Sequence, residues 1–565
     1  MSWVGVLAKL RDPSPRYEGS KVMAMRSSMQ FFKTTSAHRL EEVVRRDRPM
    51  RVFWATSSAL LISICLLIDP SSADAQSRSD SSSESNPSVT NKMPRLPKAS
   101  APPAAESLEF PNSTLRAAQP SSPFLDALSF NIRQESFLNR EEPPAGVPDY
   151  TRIGAHFKTE GVGRIFRGRL ELGGSFATSV ENDSNLFVPE AFLEWRTAKW
   201  YEGELDGAPR VRVNVGRRLE TWSQLDRNFD LGLWEPLNRY DSIRPVDQGL
   251  TGVFLEGAYG QSRLIFFISN IYIPEQGGGF RLQNGRFQST SPWFTEPTDR
   301  LILFSETTQV QYDIRTPSIG SVINHPSGGL IARYGELTDG VFAQASYAFK
   351  PRNQLATPFE GSLNLTDTTS FAQVNIEPVV VYHQLMGAEL AYRRPQWGVA
   401  VSALVDAPLA RAYGPNLTYP EMQPQTFVSP SVEARLPFAG SSELQLQISY
   451  LDSFGGAQSL KGPFATDKAV FGPRTPWKKA AMVDARTVVG RGRRTEWSLG
   501  GRWLEELSEN GSLLMAEATV DFAKLWQFAL MVDVLGTRLP PNENVGTISR
   551  FRGNDRVMSE LRFVF

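Results

Sequence analysis

From about Leu128 to the last residue, apolar side chains recur at every second position. In "FRGRLELGGSF", Phe166, Leu170, Leu172 and Phe176 share one face, with Arg167, Arg169 and Glu171 on the other. "RVRVNVG" sets Val211, Val213 and Val215 against Arg210, Arg212 and Asn214. "ELQLQISYL", "TEWSLGGRW" and "KLWQFALMVDV" repeat the pattern, the last placing Trp526, Phe528, Leu530, Val532 and Val534 opposite Gln527 and Asp533. Successive side chains of a strand point to opposite faces, whereas a helix would spread this alternation around its whole surface. An all-β body over residues 124–565 is therefore expected. Counting strand-length runs between turn signals gives roughly nineteen, among them 249–259, 262–272, 302–315, 328–336 and 556–565.

So many half-apolar strands need either a very large soluble core or a lipid surround, and the connections discriminate between the two. "RRPQ" (393–396), "FAGSS" (438–442), "LTDG" (337–340) and "AK" (523–524) are tight, while Ala407–Gln425 and Asp452–Lys478 are long and rich in Gly, Pro and Asn. Working back from the C-terminus, short and long connections mostly alternate. This is the asymmetry of a membrane barrel with short periplasmic turns and long external loops. Bacterial barrels use even strand numbers, so the expected fold is a transmembrane antiparallel β-barrel of about 18 strands, within a range of about 16 to 20. The alternation of loop lengths fails between Pro274 and Arg300, where a strand is missing from the count or a segment enters the lumen. Aromatic residues near strand ends, Trp195, Trp200, Trp234, Tyr347, Phe349, Tyr392, Trp397, Trp503 and Trp526, suit interfacial belts.

Composition excludes several classes of function. The 60 basic and 60 acidic residues balance, which argues against a nucleic-acid partner held by phosphate neutralisation. A hydrophobic share of 41% is low for a helical membrane protein, and no run after Ile68 has spanning length; "LIFFISNIYI" (Leu264–Ile273) is interrupted by Ser269 and Asn270. The single cysteine, Cys65, provides no disulfide framework and no thiolate metal site. His156, His325 and His383 have no recognisable nucleophile context, and no phosphate loop, dinucleotide fingerprint or zinc spacing is present. Neither an enzymatic role nor a cofactor is expected.

The N-terminus carries an address. The apolar run Val52–Ile68 follows Arg45, Arg46, Arg48 and Arg51 and precedes Ala73 and Ala75 in an A-x-A arrangement. This pattern predicts a signal peptide within 1–75, cleaved after Ala75, with translation starting at Met50. Residues 76–123, rich in Ser, Pro and Ala, lack apolar periodicity and are expected to form a disordered periplasmic spacer.

The chain ends "ELRFVF", with Val557, Leu561, Phe563 and Phe565 alternating against Met558, Glu560 and Arg562. This resembles the C-terminal assembly signal of Gram-negative outer-membrane proteins, whose closing strand ends on an aromatic residue. The resemblance implies that Leu561, Phe563 and Phe565 are read by the barrel-assembly machinery and that outer-membrane lipids surround the folded chain. In size, strand pattern and a "GR…W…D" segment after an early strand, the body resembles porin-like and exopolysaccharide-export barrels such as the alginate-export family. That likeness covers architecture and no binding residue.

The most unusual stretch is Gly216–Gly252, long and dense in charge of both signs. Its candidate constriction residues are Arg217, Arg218, Trp222, Asp226, Arg227, Trp234, Arg239, Asp241, Arg244 and Asp247. Folded inward, such a loop would set a field across the lumen, and its two tryptophans would offer faces for sugar rings. Alternatively its charges pair with one another and with the wall, plugging the lumen. Arg167, Arg169, Glu171, Arg210 and Arg212 are expected to face the lumen from the early strands. The expected function is a pore that passes or exports a hydrophilic solute, with anionic solutes and saccharides as candidate classes. The alternative is a non-conducting accessory barrel that binds an envelope protein through its loops or spacer.

Overall fold

The computed structural model of the chain describes residues 127–139, 149–162, 166–178, 183–197, 210–297, 299–303, 306–337, 339–365, 370–438, 442–464, 475–492, 495–523, 525–540 and 546–564. The signal peptide, the spacer, Trp200 and Phe565 lie outside these residues.

Eighteen strands form one sheet. They are β1 Ala127–Phe137, β2 Tyr150–Val162, β3 Phe166–Ala177, β4 Ser184–Arg196, β5 Arg210–Arg218, β6 Leu250–Tyr259, β7 Ser262–Ile271, β8 Asn324–Tyr334 and β9 Gly340–Pro351. The ring continues with β10 Tyr382–Arg393, β11 Trp397–Pro408, β12 Gln425–Phe438, β13 Ser442–Gly455, β14 Lys479–Arg491, β15 Thr495–Glu506, β16 Gly511–Phe522, β17 Trp526–Thr537 and β18 Arg556–Val564. Each pairs antiparallel with its neighbour in sequence. β18 returns to β1, with Ser129 opposite Val564 and Phe137 opposite Arg556, so the barrel is closed and has no free edge. Strands of 9 to 14 residues are long enough to cross a bilayer at the usual tilt.

The two faces are inverted relative to a water-soluble protein. On β13, Ile448 is 51% exposed to the outside, while its neighbours Gln447 and Ser449 are 3% and 2% exposed. The same holds around the ring: Phe130, Ile132, Phe176, Val215, Ile268, Trp497 and Leu530 are exposed, while Glu135, Asn214, Glu256, Asp533 and Glu560 are buried inside. This architecture suits lipid outside and a polar lumen. Trp195, Trp397, Trp503 and Trp526 are exposed on the outer surface, as interfacial belts require. Trp234 is not among them; it is buried in the lumen.

Connection lengths sort by end. At the end holding the start of β1 and the finish of β18 lie 163–165, 260–261, 335–339, 394–396, 439–441, 492–494 and 523–525, with 197–209 the longer exception. The opposite end carries 138–149, 219–249, 272–323, 352–381, 409–424, 456–478 and 538–555, with 178–183 and 507–510 the short exceptions. The turn 335–339 needs its glycine, because Gly335 has φ +83° and a Cβ there would strike the Val341 carbonyl.

One expected strand does not belong to the barrel. The run 302–315 falls in a separate four-stranded sheet built from two long loops, in the order Arg300–Leu303, Glu306–Ile314, Ser370–Ile376, Phe359–Leu365. Its two middle strands run parallel, Val310 beside Ala372 and Tyr312 beside Val374. The alternation in this segment is real, but its apolar face serves a small core of its own, with Leu301, Val310, Tyr312, Phe359 and Ile376. The irregularity noted between Pro274 and Arg300 holds a short hairpin, Arg281–Gln283 with Arg286–Gln288.

A lumenal loop anchored around the barrel wall

The long segment between β5 and β6 turns into the lumen. Ser223, extended and accepting from the Asp226 amide at 3.4 Å, caps the short helix Gln224–Asn228. Apolar residues then recur without a strand period: Trp222, Leu225, Phe229, Leu231, Leu233, Trp234 and Ile243. All are buried against inward-facing side chains such as Phe267, Ile331, Leu385, Phe427, Met482 and Leu535. Near the loop end of the barrel the interior is thus a packed apolar core rather than a lined pore.

Trp222 and Trp234 organise this core. Each is 1% exposed, and the rings stack on each other at 5.2 Å and 10°, with Phe267 edge-on to Trp222 at 6.0 Å. The wall makes room with glycine: a Cβ on Gly329 would lie 2.7 Å from the Trp222 ring, and one on Gly387 would lie 3.3 Å from Trp234. No ring face is left for a sugar, so the stacking role expected of these tryptophans is corrected. They hold the loop in place.

The charged side chains of the loop form ion pairs or hydrogen bonds with one another and with the wall. Arg244 grips Asp533 of β17 through two nitrogens, the shorter contact at 2.7 Å, and stands 3.7 Å from Glu517. Asp241 accepts from the Ile243 and Arg244 amides and from Arg556 of β18. Arg556 also reaches Glu135 of β1 at 3.1 Å and Asp533 at 2.8 Å, and its guanidinium lies 4.9 Å from the Trp293 ring. One buried arginine therefore joins the first strand, the last two strands and the lumenal loop across the closure seam. Arg218 binds Glu220 at 2.6 Å and Glu256 at 3.3 Å. Arg239 pairs with Glu275 and donates to the carbonyls of Asp230 and Leu231. Arg217 donates to the Gly249 carbonyl at 3.0 Å and to Gln248, and Arg227 to Thr221 at 3.0 Å. Asp247 sits in the two-residue bridge Val246–Asp247, opposite Leu237. Most of the loop's charged side chains thus meet an opposite charge or a hydrogen-bonding group of the loop or the wall.

Further contacts fix the segment to other walls. Arg502 of β15 reaches Asp230 at 3.2 Å, and Arg333 of β8 reaches Glu220 at 2.7 Å. Gln344 and Ser346 of β9 donate to the Trp222 carbonyl, Arg152 of β2 bonds Tyr240 at 2.7 Å, and Trp477 donates to the Phe229 carbonyl at 2.8 Å. Burial acts strongly on the loop's carboxylates. Asp226 is pushed up to about 6 by burial, although it accepts from the Leu233 and Trp234 amides at 2.9 and 3.0 Å. Asp230 is pushed up to about 7, again by burial, against the pull of Arg502.

The lumen-facing strand charges interleave instead of forming a basic field. Arg167 pairs with Glu160 at 2.6 Å, Arg169 with Glu190 at 2.8 Å and Glu171 at 3.3 Å, and Arg212 with Glu256 at 2.5 Å and Glu194 at 3.4 Å. Arg210 opens β5 opposite Ala258. Of the terminal signal residues, Leu561 is exposed outward and the Phe563 ring packs on Trp526 at 4.7 Å. Sequence reading missed the wall residues that receive the loop, chiefly Asp533, Arg556, Arg333 and Arg502. Asp533 sits inside a strand that is otherwise apolar on alternate positions, and that isolated charge is the local signal it left. Among the described residues no group of His, Cys, Asp or Glu is arranged to hold a metal ion.

No family model matches the chain, and no curated protein matches it. Among solved structures it is similar to Acinetobacter baumannii OccAB1, at 9% identity and a TM-score of 0.39, covering 78% of this chain and 95% of that one. It is also similar to Salmonella typhi OmpF in complex with daunomycin, at 11% identity and TM-score 0.34, covering 78% and 97%. A third is Wzi of Escherichia coli, an outer-membrane carbohydrate-binding barrel involved in group 1 capsule assembly, at 9% identity and TM-score 0.36, covering 77% and 84%.

Proposed function

We propose that the chain is a narrow channel of the Gram-negative outer membrane, passing small hydrophilic solutes beside a constriction made by its own segment 219–249. The observation that carries this reading is the inward loop itself, anchored to β2, β8, β9, β15, β17 and β18 within a closed barrel whose outer face is apolar. The cleavable signal, insertion by the assembly machinery through the terminal strand and the spacer on the periplasmic side belong to the same reading. The protein is read as a transporter and not as an enzyme. His383, the most buried histidine among the described residues, shares a hydrogen bond with Asp406 at 2.8 Å in the barrel wall. Paired charges and covered tryptophans give neither a net anion filter nor a sugar platform in the loop.

The apolar core around Trp222 and Trp234 favours a second reading, a barrel that does not conduct and serves as an accessory subunit. Planar-bilayer recording separates the two. The wild-type barrel should show small, steady unit currents. Replacement of residues 219–248 by a short Gly/Ser link should raise unit conductance several-fold. Membranes that stay closed with both proteins would overturn the channel reading in favour of the second.

A further inference from the structure

We infer that the lumenal wall formed by β14, β15 and β16 holds a binding slot for the charged head of a small zwitterion, a molecule carrying an ammonium and a carboxylate close together. The inference rests on the channel reading for its role in transport, though not for binding itself.

The slot follows from register. Gly500 of β15 stands directly between Arg486 of β14 and Glu517 of β16. Neighbouring strands are about 4.8 Å apart, so roughly 10 Å separates the backbones that carry the cation and the anion. The central position has no side chain, and a Cβ there would already meet Arg486 Nε at 3.7 Å. A cavity of about 60 Å³ lies at this place, bordered also by Arg244, Arg502 and Ser498.

The surrounding charges are already engaged. Arg502 is held by Asp484 and Asp230, both at 3.2 Å, and Arg244 by Asp533. Ser498 and Thr519 bond to each other. Among the described residues Arg486 has no ion pair or hydrogen bond. Glu517 has one long ion pair, to Arg244 at 3.7 Å, and its Oε1 is buried without a hydrogen-bond partner. A buried carboxylate oxygen left unmatched is costly. The slot thus sets a guanidinium without a hydrogen bond and a buried carboxylate oxygen without one on either side of a position that carries no side chain. A carboxylate would take the guanidinium through paired N–H bonds, and an ammonium would satisfy Glu517. A simple anion would face Glu517, and a simple cation would face Arg486.

The probe is labelled L-alanine, binding at equilibrium to the full-length barrel in detergent, with propionate and ethylamine as competitors carrying one charge each. Wild type should bind alanine saturably, and neither competitor should displace it at equal concentration. Arg486→Gln and Glu517→Gln should each weaken binding by at least about tenfold, the loss of one charged hydrogen-bond partner. Gly500→Val should abolish it. The double exchange Arg486→Glu with Glu517→Arg should restore binding with the ligand reversed, which a merely structural role would not do. Absence of saturable binding, or equal binding by all variants, would overturn the slot. Conductance is recorded on the same preparations: a barrel that conducts without binding alanine loses the slot and keeps the channel, and one that binds without conducting keeps the slot and loses the channel.

Discussion

Glycines in the lumenal wall meet two fates. At β8 and β10, Gly329 and Gly387 are covered by Trp222 and Trp234 of the lumenal loop. At β15, Gly500 is flanked by Arg486 and Glu517, and no loop residue lies within 4 Å of its missing side chain. The same residue type in the same kind of wall is a socket for the chain's own rings on one side and an open recess on the other. What decides the outcome is where the rings of the 219–249 segment come to rest. Its apolar residues share one core with wall residues from Phe254 of β6 round to Leu535 of β17, and its ion pairs reach β8, β15, β17 and β18, yet its two tryptophan rings lie against Gly329 and Gly387 alone of these three glycines.

The largest expected effect comes from the anchor that ties the loop to the seam. Arg556→Leu leaves Glu135, Asp533 and Asp241 without a shared cation, and removing one partner of a buried pair costs about 3–5 kcal/mol. The variant should lose its SDS-resistant, heat-modifiable form at a lower temperature and urea concentration than wild type. Unchanged migration would show that the loop does not lock the seam, and the contrast between filled and open walls would lose its cause.

The glycines themselves sharpen the comparison. Gly329→Val drives a side chain into the Trp222 ring and should destabilise the barrel by about 1–3 kcal/mol through overpacking. Gly500→Val meets only the flexible Arg486 side chain, at 3.7 Å from its Cβ, and should change stability by less than about 0.5 kcal/mol, while closing the recess. Urea midpoints measured by the gel shift test the pair. Equal losses would make both positions structural sockets.

The smallest effect is a dependence on pH. Asp226 titrates near 3.8 when free and at about 6 when the loop is docked, so the docked state binds the proton more tightly. Docking is therefore favoured below about 4, and this contribution is lost as pH rises through about 6. Asp230, at about 7, extends the same trend upward. Unit conductance should fall modestly between pH 7.5 and pH 5, by about twofold or less, and the slope should flatten in Asp226→Asn with Asp230→Asn. A rise in conductance on acidification would reverse the assigned sign.

Period-two alternation, tight turns such as 393–396 and 523–524, and the lack of an apolar run of spanning length after Ile68 were enough to specify a closed barrel and the outward side of its strands. These are local properties: the side-chain period is set by the strand backbone, and turn length by the residues between two strands. The partner of each buried face is not local. The 302–315 run alternates as well as any barrel strand, yet Val310 and Tyr312 pack in a sheet completed by 359–365 and 370–376. Arg244 and Asp533 lie 289 residues apart, and Arg556 and Asp241 lie 315 apart. The sequence displayed the charges and the tryptophans of 216–252, but their burial, their pairing and the empty place beside Gly500 were decided only when closure brought distant strands into one lumen. Alternation reports which way a side chain points, and only the closed ring determines what it meets there.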